Sequence, residues 1–133
     1  VDGLFQTPVL LTVLPAAGTL NAALQSTILD YEKGHSSTQH SNLGGWQSDT
    51  DFLKWGGPAA KTLLGHTRTL ADRLTADREG RPVKIDWHIN AWANVNRETQ
   101  GNEFHSHAGW FWSAVYYVAD GGIGTQASLG GEP

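Results

Sequence analysis

The switch of hydrophobic periodicity near residue 80 restricts the fold of this chain more than any other feature. Between residues 19 and 31, and again between 58 and 77, apolar side chains recur three and four apart; from residue 83 they recur at every second position. The first spacing belongs to a helix with one buried face, the second to a half-buried strand. Helices therefore lead and strands follow, with no internal repeat and no linker between them. That is the order of a single α+β domain with segregated elements.

In the first region Leu20, Ala23, Leu24, Thr27, Ile28 and Tyr31 form one stripe, with Thr19 as N-cap and Gly34 as stop. A second helix is expected over residues 58–77, with Pro58 in its first turn and Leu63, Leu64, Thr67, Leu70 and Leu74 buried. The polar stretch 33–49, which holds Gly44, Gly45, His35 and His40, reads as a long loop of the kind that often carries function. Ahead of the helices, residues 4–14 are aliphatic and β-branched enough for a strand, Pro8 confining the first half to an edge.

A charged turn at 77–82 opens the second region. Val83, Ile85, Trp87, Ile89 and Ala91 then alternate with Lys84, Asp86, His88 and Asn90. A turn over 97–101, the segment 104–107 and a break at Ala108-Gly109 lead to the strand-forming run 110–119. A further turn at 120–125 precedes a last strand at 126–129.

Composition removes several classes of function. The 133 residues carry nine Lys and Arg against thirteen Asp and Glu, a formal charge of −4. No basic stripe is present, so nucleic acid is not expected as a partner. Without Cys there are no disulfides, thiolate zinc sites or thiol nucleophiles. The longest apolar stretch, 9–15, is interrupted by Thr12 and falls far short of the roughly 20 residues that span a bilayer, so no membrane is expected either. The start shows no signal-peptide pattern. A cytoplasmic location is expected, although a cysteine-free chain suits the periplasm equally.

The sharpest local feature is His105-Ser-His107. Side chains two apart on an extended segment project to one face, so both imidazoles reach a common ion. The alternative is a pair of strand histidines satisfied by backbone carbonyls. The aromatic run Trp110-Phe111-Trp112 is placed either to wall in the pair or simply to fill a core. Other His-x-His chemistries lack their further residues: no Asp-His pair follows His107, as a binuclear hydrolase requires, and no Glu lies three to five residues beyond it, as in a cupin. A non-haem iron site with two neighbouring ligands and one distant His is the better candidate.

The run Trp92-Ala-Asn94-Val-Asn96, then Gly101-Asn-Glu-Phe-His105-Ser-His107-Ala-Gly, then Ser113-Ala-Val-Tyr-Tyr117-Val resembles the core motif of 2-oxoglutarate/Fe(II) oxygenases of the double-stranded β-helix class. Within that class it is closest to uncharacterised bacterial members with a His-x-His pair and a Ser-Gly-Val-Tyr-Tyr-like strand, and Ser41-Asn-Leu-Gly-Gly-Trp46-Gln-Ser48 is similar to their upstream loop. The resemblance covers most of the chain. It implies a mainly β, jelly-roll-like double-stranded β-helix with flanking N-terminal helices, and a dioxygenase using Fe(II) and 2-oxoglutarate on a small-molecule or peptide substrate. His105 and His107 would then be metal ligands, His107 standing where the wider superfamily more often has Asp. The same resemblance suggests that Tyr117, which shares a strand face with Ser113 and Val115, donates its hydroxyl to a cosubstrate carboxylate; the other reading is a core aromatic. Asn94 is a weaker candidate for cosubstrate or substrate contacts, the plain alternative being an Asn that fixes a turn.

The third His and the basic residue that the family places on a late strand have no counterpart, since no His, Lys or Arg follows His107. A β-helix needs about eight strands and this chain supplies only part of them. Together with Val1 at the start and the absence of Met, this leads to the expectation of an N-terminal portion of a longer domain, with any activity belonging to that longer parent rather than to this chain alone. Two other readings stay open: a non-catalytic metal- or ligand-binding β-helix module of cupin-like type, and a structural jelly-roll module that uses its six Trp for packing.

Overall fold

Leu20, Leu24, Ile28 and Tyr31 lie four, four and three residues apart, so a helix presents them on one side. In the computed structural model, which describes residues 7–121, they do face the core from helix α1 (Gly18–Gly34). Leu24 and Ile28 are buried, and Leu20 and Tyr31 pack beside them. Each buried aliphatic side chain contributes roughly 1.5–3 kcal/mol of transfer free energy. Thr19 is not the cap: the helix starts two residues earlier than expected, at Gly18, with Ala17 in the N-cap position and no side-chain capping bond. At the other end the extended His35 stops the helix, and its Nδ1–H donates to the Tyr31 carbonyl at 2.8 Å. That bond satisfies an acceptor which the helix leaves open.

The stretch 33–49 is more ordered and more buried than its polar composition suggests. It holds two short strands, β1 (Asn42–Leu43) and β2 (Trp46–Gln47), and buries Asn42, Trp46, Gln47 and Ser48. The Asn42 side chain organises the segment by accepting from the His40 N–H (2.9 Å) and donating to the Gly45 carbonyl (2.9 Å) and to Ser37 Oγ (3.2 Å). Trp46 points inward and donates its indole N–H to the His35 carbonyl at 2.8 Å.

Helix α2 (Phe52–Trp55), which periodicity does not announce, leads into α3 (Gly57–Leu74). A Cβ on Gly56 would meet the Phe52 carbonyl oxygen at 2.7 Å and the Ala60 Cβ at 2.6 Å, so only glycine allows the tight junction. Pro58 sits in the first turn of α3 as expected. Of the anticipated stripe, Leu63, Leu64, Thr67 and Leu70 are half-buried and Leu74 is exposed; Ala60 is the buried residue of this helix. Tyr31 stacks between the rings of His35 (3.6 Å) and Trp55 (3.8 Å), joining α1 to α2. Burial, then the negative charges of Asp51 and Asp49, raise the Tyr31 hydroxyl above its ordinary pKa.

Strands β3 (Asn94–Val95) and β4 (Gly101–Asn102) complete two antiparallel pairs, β1 with β4 and β2 with β3. Ser48 reinforces the second pair: its N–H donates to the Ala93 carbonyl, and its hydroxyl accepts from the Ala93 N–H, both at 3.0 Å. Residues 83–91 keep the expected alternation except at Ile85, which is exposed: Val83, Trp87, Ile89 and Ala91 turn inward and Lys84, Asp86, His88 and Asn90 outward. They and the run 110–119 are nevertheless not joined by a regular ladder among the described residues, where the sheet structure consists of the two short pairs. Residues 7–14 form no strand. Residues 4–6 and the strand expected at 126–129 lie outside the described residues.

Candidate metal and ligand site

Ring contacts fix how the two halves of the β region meet. Trp87 lies against Phe111 (5.9 Å), His88 against Trp110 (6.1 Å) and Trp92 against His107 (5.9 Å). Nearer the tip, the Asn96 amide donates to Asn102 Oδ1 at 3.1 Å. Each step forward along one segment is a step back along the other, so residues 87–96 and 102–111 run antiparallel. The turn between them closes with the Gln100 N–H on the Arg97 carbonyl at 2.9 Å. Arg97 is held in turn by Glu32 of α1 through two hydrogen bonds of 2.7 and 2.8 Å. The His pair lies on the returning arm of this hairpin, beside Trp92.

His105 and His107 have ring centroids 4.8 Å apart, inclined at 73°. An ion about 2.1 Å from a ligating imidazole nitrogen lies about 3.3 Å from that ring's centroid, so two imidazoles at about 90–110° around it have centroids about 4.7–5.4 Å apart. The observed separation fits that range. The Nδ1–H of His105 donates to the Glu103 carbonyl at 2.8 Å, which leaves the lone pair on Nε2. Such a bond sets both tautomer and ring direction in metal-ligating histidines. His105 is exposed and His107 half-buried, so an ion can enter. The donor set thus suits two positions of an iron site.

No third His, Asp or Glu joins the pair among the described residues. His35 stacks on Tyr31, His88 faces Trp110, and His66 lines a shallow hollow with Leu14 and Leu20. The aromatic wall is also differently built from the one expected. Trp110 and Phe111 contact His88 and Trp87, while the indole N–H of Trp112 donates to Thr75 Oγ1 at 2.9 Å. Among the described residues, Trp92 is the aromatic side chain that touches the pair.

Tyr117 shares an exposed face with Ser113 and Val115 and keeps 52% of its exposure, so it is not a core aromatic. Its neighbour Tyr116 turns inward, donating its hydroxyl to Asn21 Oδ1 at 2.6 Å. No contact brings Tyr117 to the His pair among the described residues. Asn94 is exposed on β3, directly opposite Gln47 of β2, and lies in a strand rather than fixing a turn. Gln47 was not singled out by sequence reasoning. The available signal was its place beside the inward Trp46, which turns Gln47 to the opposite face. No protein-family model, curated protein or solved structure matches this chain.

Proposed function

We propose that this chain belongs to a 2-oxoglutarate/Fe(II)-dependent dioxygenase of the double-stranded β-helix class, with the antiparallel arms 87–96 and 102–111 among its strands and His105 and His107 holding the metal. The observation that carries this reading is the paired imidazole geometry, with the Nδ1 of His105 committed to a carbonyl and its Nε2 left for an ion. The motif around the pair adds support by its resemblance to that class. When bound, Fe(II) and 2-oxoglutarate supply the oxidising chemistry, in which O2 and 2-oxoglutarate are consumed, succinate and CO2 form, and the substrate gains a hydroxyl. The chain's own part is to orient the two imidazoles through the Glu103 carbonyl and to shield one side of them with Trp92. Tyr117 and Asn94 are assigned to cosubstrate or substrate contacts. The cytoplasm, which supplies both reduced iron and 2-oxoglutarate, is the proposed site of action. Among the described residues, no helix is long and apolar enough to cross a membrane.

One observation favours a second reading. The pair has no third ligand among the described residues, which suits a module that binds metal without turnover. Succinate formation from 2-oxoglutarate separates the two. The dioxygenase forms it only with Fe(II) and loses it in His105→Ala, whereas the binding module takes up metal and forms none.

A further inference from the structure

Gln47 retains 4% of its exposure, yet its side-chain amide meets no hydrogen-bond partner among the described residues. Its hydrogen bonds among the described residues are all made by its backbone: the N–H donates to Ser37 Oγ and the carbonyl accepts from Thr38. The amide is not sealed off, because no unpartnered side-chain nitrogen or oxygen is fully enclosed among the described residues. A buried glutamine whose polar tip touches only the surface loses the packing freedom of a solvated side chain without gaining an internal bond. Such a group suits contact with something that arrives from outside.

Register identifies its neighbour. Gln47 and Asn94 are directly opposed across β2 and β3, so their side chains share one face about 5 Å apart at Cβ. The Asn94 amide likewise has no partner among the described residues. Trp92, two residues before Asn94, projects to that same face and touches His107. The two amides therefore share the strand face of Trp92, whose ring lies 5.9 Å from that of His107.

We propose that Gln47 and Asn94 together bind a neutral amide group, and hence that the substrate is a peptide or other amide. Each side chain offers both an NH2 donor and a carbonyl acceptor, the pattern that matches the C=O and N–H of a peptide unit. A carboxylate is the poorer match. The charged residues nearest in sequence are Asp49, which disfavours an anion, Asp51, which pairs with Lys54, and Arg97, whose guanidinium is already committed to Glu32. The inference names the substrate class of the proposed dioxygenase and in that respect rests on it. Its binding test needs neither iron nor 2-oxoglutarate, so either can fail alone.

The test follows the side-chain NH2 resonances of Gln47 and Asn94 while the protein is titrated with N-acetylglycine N-methylamide or, separately, with acetate. Both resonances should move with the diamide and stay with acetate, and the binding should vanish in Gln47→Met and in Asn94→Ala. Because the amide tip reaches solvent and makes no bond within the fold, Gln47→Met should melt within about 2 °C of the parent protein. A residue that merely supported the fold would lower the melting temperature instead. No movement with the diamide, equal movement with acetate, or a Gln47→Met protein that melts well below the parent protein and still binds overturns the proposal. Asn94→Ala, at an exposed position, keeps the binding arm decisive if Gln47→Met fails to fold.

Discussion

Replacing Asn42 by Ala tests whether the polar segment between α1 and α2 is held by one side chain. Asn42 is 8% exposed, and its amide makes three hydrogen bonds, to the His40 N–H, the Gly45 carbonyl and Ser37 Oγ. A typical intramolecular hydrogen bond is worth about 1 kcal/mol net, and a buried group left without its partner costs more. Ser37 Oγ keeps a 2.9 Å bond to the Thr38 carbonyl, so its loss is small. The His40 N–H loses the acceptor that Asn42 provides, and the Gly45 carbonyl retains only a long 3.4 Å contact with Ser37. The expected cost is therefore about 2–3 kcal/mol, or a fall of roughly 6–15 °C in Tm for a chain of this size. Asn42→Asp should be no milder at neutral pH, because it keeps the acceptor but sets a carboxylate against the Gly45 carbonyl. Calorimetric melting with urea denaturation measures both variants. A change below about 0.5 kcal/mol in Asn42→Ala, the level of an ordinary surface substitution, would show that the segment is held by other bonds.

The Glu32–Arg97 pair gives a pH signature. Hydrogen bonds from Arg97 lower the Glu32 pKa from its ordinary 4.5; burial opposes this, and the Arg97 charge adds to it. A depressed carboxylate stabilises the fold above its unfolded pKa and loses that contribution as pH falls through the folded value. Urea midpoints should therefore drop below about pH 4.5, and Arg97→Met should remove part of that step, up to about 1 kcal/mol; identical profiles for the two proteins rule the pair out as a source. At the hairpin tip, Thr99 sits at φ +69°, a conformation costly for a β-branched residue. Thr99→Gly should relieve about 1–2 kcal/mol of strain and lose about half of that to unfolded-chain entropy, giving a net gain of roughly 0.5–1 kcal/mol in urea unfolding. A loss of stability in that variant contradicts the assignment.

The two long helices were legible because Leu20, Leu24, Ile28 and Tyr31 repeat at helical spacing within a few turns, where pattern and contact are both local. Helix ends were less so: Ala17, which has no capping side chain, takes the place that Thr19 would suit by type. The segment 33–49 was misread as a simple loop because its order comes from partners far along the chain. Trp46 pairs with Val95 and Leu43 with Gly101, and neither relation leaves a mark in local composition. In the β region, alternation marked which of residues 83–91 face inward but not how their backbones pair. Aromatic content overstated burial further on, since Phe111 keeps 70% of its exposure and Trp110 47%. The His pair was readable from spacing alone. Trp92, which touches it, stood in the motif without an assigned role, and the partner of Gln47 is set by the register of β2 on β3.

The central claim is that His105 and His107 hold a catalytic iron, and succinate formation tests it most directly. The longer parent protein expected to contain this chain, supplied with Fe(II), O2 and 2-oxoglutarate, should form succinate, and His105→Ala and His107→Ala in it should each reduce the rate by about 100-fold or more, beyond the loss usual for removing a supporting residue of a metal site. No succinate under these conditions, or equal succinate from the protein and both variants, contradicts the account.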